Sequence, residues 1–422
     1  MEKAQSTRKV SPWYTGLGSL SLVAVLFAGG TLASRKIGTE RALDIAAKHH
    51  IATTAAELYP PYKGDPSQNA FEIVAHLSSA KALTKATAHT LDGPFDLAQA
   101  KAVLASERVA LELSDQLAQR PDYVPKHEGE LLTMTFMEYG QLKRAAFLLG
   151  TRGRIRAVEG DLGGALGDFE KVVSVANFID HEPSVIGSCV NVAIANRLLR
   201  TIVETSPAFR GQTQEFARLR AIPAKLHPVN FARGLEGDAA FALSLATHRW
   251  DAAALGMSGD NGALAEASYF EATRAFWGPA VVQCWADDLE AFRKTPNELS
   301  SPRFAFQSLK KLVSSGGPAG RIAEIVSPVG SNFANWVTAA VTYKQLAELS
   351  LAAVEKGVRP DVSKTHDPFG SGPYHLLTSN GGWAVYSVGE DRIDNGGRVK
   401  ANDDKQDIVV RMADSRVTMD GK

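Results

Sequence analysis

Cysteine is nearly missing from this chain: Cys189 and Cys284 are the only two in 422 residues. That excludes a disulfide-stapled framework and a multi-thiol metal site, leaving two buried thiols or a single bridge. Charge of one sign is not in excess either, because 46 lysines and arginines balance 46 aspartates and glutamates. No global field points to nucleic acid, which is not an expected partner. Motifs of familiar chemistry are also missing: there is no Walker A loop, no Rossmann glycine pattern after a strand, no His-Glu-x-x-His and no Gly-x-Ser-x-Gly. Gly256-Met257-Ser258-Gly259 falls one position short of a nucleophile elbow. No nucleophile or base is nominated from the sequence.

Long apolar runs are scarce, and the one present is informative. Ser11 to Ser34 carries no charge and is long enough to cross a bilayer as a helix. Trp13 and Tyr14 stand at its start, where an aromatic interface anchor belongs, with Lys3, Arg8 and Lys9 before it and Arg35, Lys36 and Arg41 after. The expectation is an uncleaved single-pass anchor of the inner membrane over residues 1–36, with the rest exported to the periplasm. The alternative is a cleaved signal peptide, with Thr31-Leu32-Ala33 as the small-residue site.

Residues 37–313 are rich in alanine and leucine and patterned as helices. Ile186, Val190, Ile194, Leu198 and Ile202 recur every four residues, Pro183 precedes them and Ser206-Pro207 follows, which predicts one amphipathic helix. Gly153, Ala165 and Phe169 around the Gly160-Asp161 turn are similar to one tetratricopeptide unit or to an ordinary helical hairpin. The expectation is an irregular α-helical array. Pro60 to Pro66 reads as an ordered loop, and residues 314–331, with Ser-Ser-Gly-Gly-Pro-Ala-Gly, read as a linker.

Several polar residues read as scaffolding. His49-His50 reads as surface; His127-Glu128 and His181-Glu182 flank prolines and read as capping pairs at helix boundaries. Glu138, Glu159, Glu170 and Asp238 read as acids facing water, and Trp250, Trp277, Trp285 and Trp336 as core.

The last segment, 332–422, changes character. A helix to Lys356 ends at Gly357, with Pro360 beyond. Tyr374–Ser379 and Trp383–Gly389 then flank Asn380-Gly381-Gly382, a hairpin signal, and Asp407–Met412 offers a third strand. The predicted fold class is mainly α, with a small C-terminal α+β unit built on a three-stranded antiparallel sheet.

The order Tyr343-Lys344, Gly357-Val358-Arg359-Pro360, Asp367-Pro368-Phe369-Gly370, Gly372-Pro373-Tyr374, Tyr386-Ser387-Val388-Gly389-Glu390-Asp391, Gly396-Gly397 and Asp407-Ile408 resembles the globular part of the major pseudopilin of type II secretion systems. The resemblance does not reach the pilin N-terminus. It implies a helix leading into a short sheet and a calcium-binding loop after the second strand, with Asp391 and Asp407 as ligands and Asp394 next. The residues give their own partial reason: Asp391, Asp394 and Asn395 cluster, Asp403, Asp404 and Asp407 return, and hard cations take oxygen ligands. A solvated acidic turn countered by Lys400 and Lys405 is the alternative. The helical part, through "SVIGSCVNVAIANRLL" and "GLEGDAAFAL", is similar to uncharacterised membrane-anchored envelope proteins of planctomycetes and related bacteria.

Together these features predict a membrane-anchored envelope protein that binds or scaffolds a protein or peptide partner without catalysis. The alternatives are an envelope hydrolase with an acidic pocket between helices, or an accessory of a type II secretion-like machine.

Overall fold

A computed structural model describes residues 12–79, 95–127, 131, 136–228, 231–248, 261–294, 307–326, 333–379, 382–397 and 407–413. The charged N-terminal tail, Trp250, Gly256–Gly259, Asn380-Gly381, Lys400, Asp403, Asp404 and Lys405 lie outside them.

The first helix, Pro12–His49, runs unbroken for 38 residues, about 57 Å at 1.5 Å per residue. Its later part is core: Ala42 and Ala46 are fully buried. It lies alongside helix Asn261–Lys294 and in the same direction, since the Ala275 amide donates to Ser34 Oγ at 3.0 Å and Arg293 donates to the His49 carbonyl at 3.3 Å. Gly38 permits this approach, because a Cβ there would meet the Arg274 carbonyl at 2.7 Å. Trp277 and Trp285 are buried on the same helix, as expected, while Trp336 is partly buried.

Two apolar clusters fill the described body. One joins residues 42–59, helices Phe231–Thr247 and Asn261–Lys294, and the pair Gln307–Ser315 and Gly317–Val326. The other joins helices Phe71–Ser79, Leu97–Ser106, Arg108–Gln119, Met137–Glu159, Leu162–Phe178 and Thr213–Lys225 with Phe333–Lys356 and the C-terminal sheet. Helix Val185–Thr205 belongs to both, giving Val185 and Val192 to the first and Ile194, Leu198 and Ile202 to the second.

That shared helix is capped by Ser184, whose Oγ accepts from the Ile186 amide at 3.1 Å. The four-residue stripe predicted on it is corrected in part. Ile186 is 55% exposed, because steps of four advance 400° and carry a strict stripe about 40° around the axis each time. By length and hydropathy alone, Val185–Phe209 passes as a membrane span; 56% of its apolar window is buried, and it packs as core.

Helices Met137–Glu159 and Leu162–Phe178 form the predicted hairpin. Gly160 takes φ 87° at the turn and Asp161 caps the second helix. Asp168, nearly fully buried, neutralises it from within: Arg152 Nε donates to it at 2.9 Å and Arg156 Nη1 at 3.0 Å, while Arg152 also holds Asp115. The described part of the segment read as a linker, 314–326, is helical on both sides of Gly316, and 327–331 lie outside the described residues. Gly316 and Gly317 break the chain at positive φ, and Pro318 then sits in the first turn of Gly317–Val326, burying Ile322 and Ala323.

The tail sheet is antiparallel in the order β1 (His375–Ser379), β2 (Gly382–Ser387) and β3 (Ile408–Ala413), with His375 opposite Tyr386 and Tyr386 opposite Val409. Buried Asp367 ties it to the preceding loop, accepting from Phe369 N at 3.0 Å, Ser387 Oγ at 2.6 Å and Val388 N at 2.9 Å.

Candidate metal centre

The most unusual chemistry in the described body lies where three chain segments meet. The extended stretch after helix Arg108–Gln119 is held in place by Asn69, fully buried, whose side chain accepts from Val124 N and donates to Val124 O, both at 2.9 Å. Pro121 and Pro125 keep that stretch out of a helix. It delivers His127. Glu138 comes from the first turn of helix Met137–Glu159. Glu182 follows helix Leu162–Phe178 and a short 3-10 turn; the next residue, Pro183, holds it in extended backbone, at φ −80° and ψ 120°.

Among the described residues, His127, Glu138 and Glu182 form the one group of three such side chains whose ligand atoms lie within 4.8 Å of one another. Water is nearly excluded: the His127 and Glu138 side chains are each 7% exposed, and Glu182 is 1% exposed. His127 Nε2 stands 3.2 Å from Glu138 Oε1. Tyr123 donates to Glu182 Oε1 at 2.8 Å and Tyr139 to Oε2 at 3.3 Å. Tyr59, Phe71 and Phe136 pack edge-on around the imidazole, Tyr59 at 4.4 Å between ring centres. Gly187 lets helix Val185–Thr205 close over the group, since a Cβ there would come within 3.1 Å of both Glu182 Cβ and the Tyr139 hydroxyl.

Burial sets the electrostatics. It pushes the Glu182 carboxyl up to about 7, with the Glu138 charge adding to the rise and the Tyr123 hydrogen bond opposing it. The hydroxyls of Tyr59, Tyr123 and Tyr139 are all raised, first by burial and then by Glu182, so they remain donors. Nearby, Asp238 is also raised to about 7 by burial, and it accepts from Val185 N at 3.3 Å. One imidazole and two carboxylates suit a divalent cation with nitrogen and oxygen ligands, or a shared proton. On the far side of the Leu58-Tyr59 segment, an open cavity of about 390 Å³ is lined by Leu58, His50, Arg233, Glu236 and Arg293.

These residues correct the sequence reading. His127 and Glu182 serve a common cluster rather than solvent-side capping, and Glu138, expected to face water, is 6% exposed. Proline next to Glu182, and two residues before His127, marked a boundary and hid the cluster. No spacing rule links positions 127, 138 and 182, so only the tertiary fold brings them together.

Of the three residues predicted to hold calcium, Asp391 and Asp394 sit in the turn after β2, and Asp407 stands just before β3. Asp391 accepts from Ile393 N at 2.9 Å; Asp394 accepts from Gly396 N at 2.8 Å and Tyr386 Oη at 3.0 Å, the amide holding its carboxyl below the usual range. Asp407, buried, takes Gly397 N at 2.7 Å and Asn395 N at 3.3 Å. Asp391 joins this group through Asn395, whose side-chain amide donates to it at 3.3 Å, whereas Asp394 leans toward His375 at 3.4 Å. Both cysteines are free thiols, each pushed up to about 11 by burial first and by neighbouring aspartate charge second, which keeps them protonated. No family description, curated protein or solved structure matches this chain.

Proposed function

We propose that the protein is a single-pass envelope scaffold, tethered by residues 11–34, which presents its helical body outside the cytoplasm to a protein or peptide partner. One observation carries the reading. The uncharged segment and the body share a single helix, Pro12–His49, whose far end is core through Ala42 and Ala46. A tether that continues without a joint into the packed domain fixes the domain's distance and orientation at the bilayer, as a scaffold needs. The test is fractionation of cells carrying the full chain. Expected is a detergent-requiring membrane protein whose body is digested by protease added to spheroplasts, and which becomes soluble when residues 1–33 are deleted. Full-length protein in the cytosol, soluble without detergent, overturns the proposal.

A second reading, an envelope hydrolase, is favoured by the paired buried carboxylates Glu138 and Glu182 beside His127. Chromogenic ester, amide and glycoside substrates test it, with Glu182→Gln as the control. Turnover by the native protein that the variant lacks supports it; equal rates from both remove it.

A further inference from the structure

We infer that His127, Glu138 and Glu182 bind one divalent cation of the zinc class. The first support is a pair of atoms without hydrogen-bond partners. Glu138 Oε1 and His127 Nε2 are buried, and neither makes a hydrogen bond, although they face one another at 3.2 Å. Buried polar atoms are rarely left this way, since an unsatisfied one keeps the full cost of losing its water. A cation shared between them removes the anomaly. Ligands at about 2.0–2.1 Å from a tetrahedral zinc ion lie about 3.3 Å apart, close to the separation seen.

The second support is the setting. Each Glu182 oxygen accepts from one tyrosine, Tyr123 or Tyr139, the kind of outer hydrogen bonding that orients a metal carboxylate. As metal ligands the two carboxylates would be ionised and the imidazole neutral, and a divalent ion would cancel their two negative charges inside an apolar wall of Tyr59, Phe71 and Phe136. Imidazole and a small ligand number argue against calcium and magnesium, which take six or more oxygens, and the group contains no thiolate for copper(I). Three protein ligands leave a position for water or another small ligand. The cation would also fasten the 120–127 stretch to the starts of helices Met137–Glu159 and Val185–Thr205. The inference does not depend on the scaffold reading and survives its failure.

The experiment uses full-length protein in detergent, stripped by a chelator and titrated with zinc and, separately, cobalt(II). Expected are one equivalent of zinc by metal analysis and a visible cobalt absorption band of low-symmetry coordination. Both should be lost in His127→Gln and Glu138→Gln, while far-UV circular dichroism stays unchanged. Tyr123→Phe should weaken zinc binding about 10–100-fold without abolishing it. Asp391→Ala should bind zinc as the native chain does, which separates this centre from the tail loop. The inference is overturned if the stripped native protein takes up no stoichiometric zinc or cobalt, or if His127→Gln binds both unchanged. Should a ligand variant fail to fold, the cobalt spectrum of the native protein alone decides.

Discussion

Gly237→Ala is the sharpest test of the packing. Helix Phe231–Thr247 crosses the start of helix Val185–Thr205 with no room for a side chain: a Cβ on Gly237 would fall closer than 3 Å to the carbonyl carbon and oxygen of Pro183 and 3.1 Å from its Cβ. A methyl group needs about 3.4–4 Å from those atoms, and backbone cannot rotate aside as a long side chain can. The helices must therefore separate. Overpacking of this kind costs about 1–3 kcal/mol, and separation also breaks the Asp238 cap on Val185 N, worth about 1 kcal/mol. Exchanging glycine for alanine inside a helix returns about 0.5–1 kcal/mol. The net expectation is a loss of about 1–3.5 kcal/mol in urea unfolding. Gly167→Ala is the control: nothing lies within 4 Å of its added Cβ, so helix propensity alone should raise stability by about 0.5–1 kcal/mol. Equal stability of the two variants refutes the crossing. Because Pro183 follows Glu182, zinc affinity should fall in Gly237→Ala and hold in Gly167→Ala.

Asp168→Ala leaves Arg152 and Arg156 without their buried partner and should cost about 3–5 kcal/mol in chemical unfolding, with Arg152→Ala in the double variant recovering part of the loss. Asp238 binds its proton more tightly folded than unfolded, so its stabilising contribution is full below about pH 4 and is lost as pH rises through about 7; Asp238→Asn should flatten that part of a pH–stability profile while keeping the Val185 cap. Millimolar calcium should raise the thermal midpoint of the full chain and fail to do so in Asp391→Ala; an unchanged native midpoint ends the calcium reading of the tail loop. Truncation after residue 326 should give an aggregating body with reduced helicity by circular dichroism, and a monomeric, fully helical fragment would contradict the shared core.

Local signals in the chain proved readable wherever one residue sets the backbone. Pro183 ahead of an apolar run marks a helix start, Gly357 at φ 63° ends a helix, and Gly382 at φ 139° opens β2. Side-chain direction was less readable. Ile186 satisfies a four-residue pattern and still faces water, because the buried face of its helix follows two neighbours on two sides, one toward Val192 and the other toward Ile194 and Leu198. Least readable was the centre. Glu138 sits in the first helical turn, where acids are favoured by the helix dipole alone, so its residue type carried no sign of burial. Glu182, beside Pro183, and His127, two residues after Pro125, carried the same ambiguity. Asp391 and Asp394, in contrast, were readable as members of one glycine-rich turn because they lie three residues apart in the chain.

The tail sheet packs into the same apolar cluster as part of the helical array. Three strands cover too little area to bury an apolar face among themselves, and a sheet this small needs a partner surface. Val385, Val410 and Met412 find it against helix Phe333–Lys356 and helix Val185–Thr205, in the same cluster as Ile194, Leu198, Leu346 and Leu351. Outside the cluster, Arg220 donates to Glu355 at 2.6 Å across the same junction. Helix Val185–Thr205 thus touches the sheet near its end and Glu182 just before its start. A cation at the centre would stiffen the helix start, and a calcium ion in the tail loop would stiffen the strands packed on its other half. If both sites fill, each should raise the other's apparent affinity, because both order one helix and the second ion meets a chain that the first has already ordered.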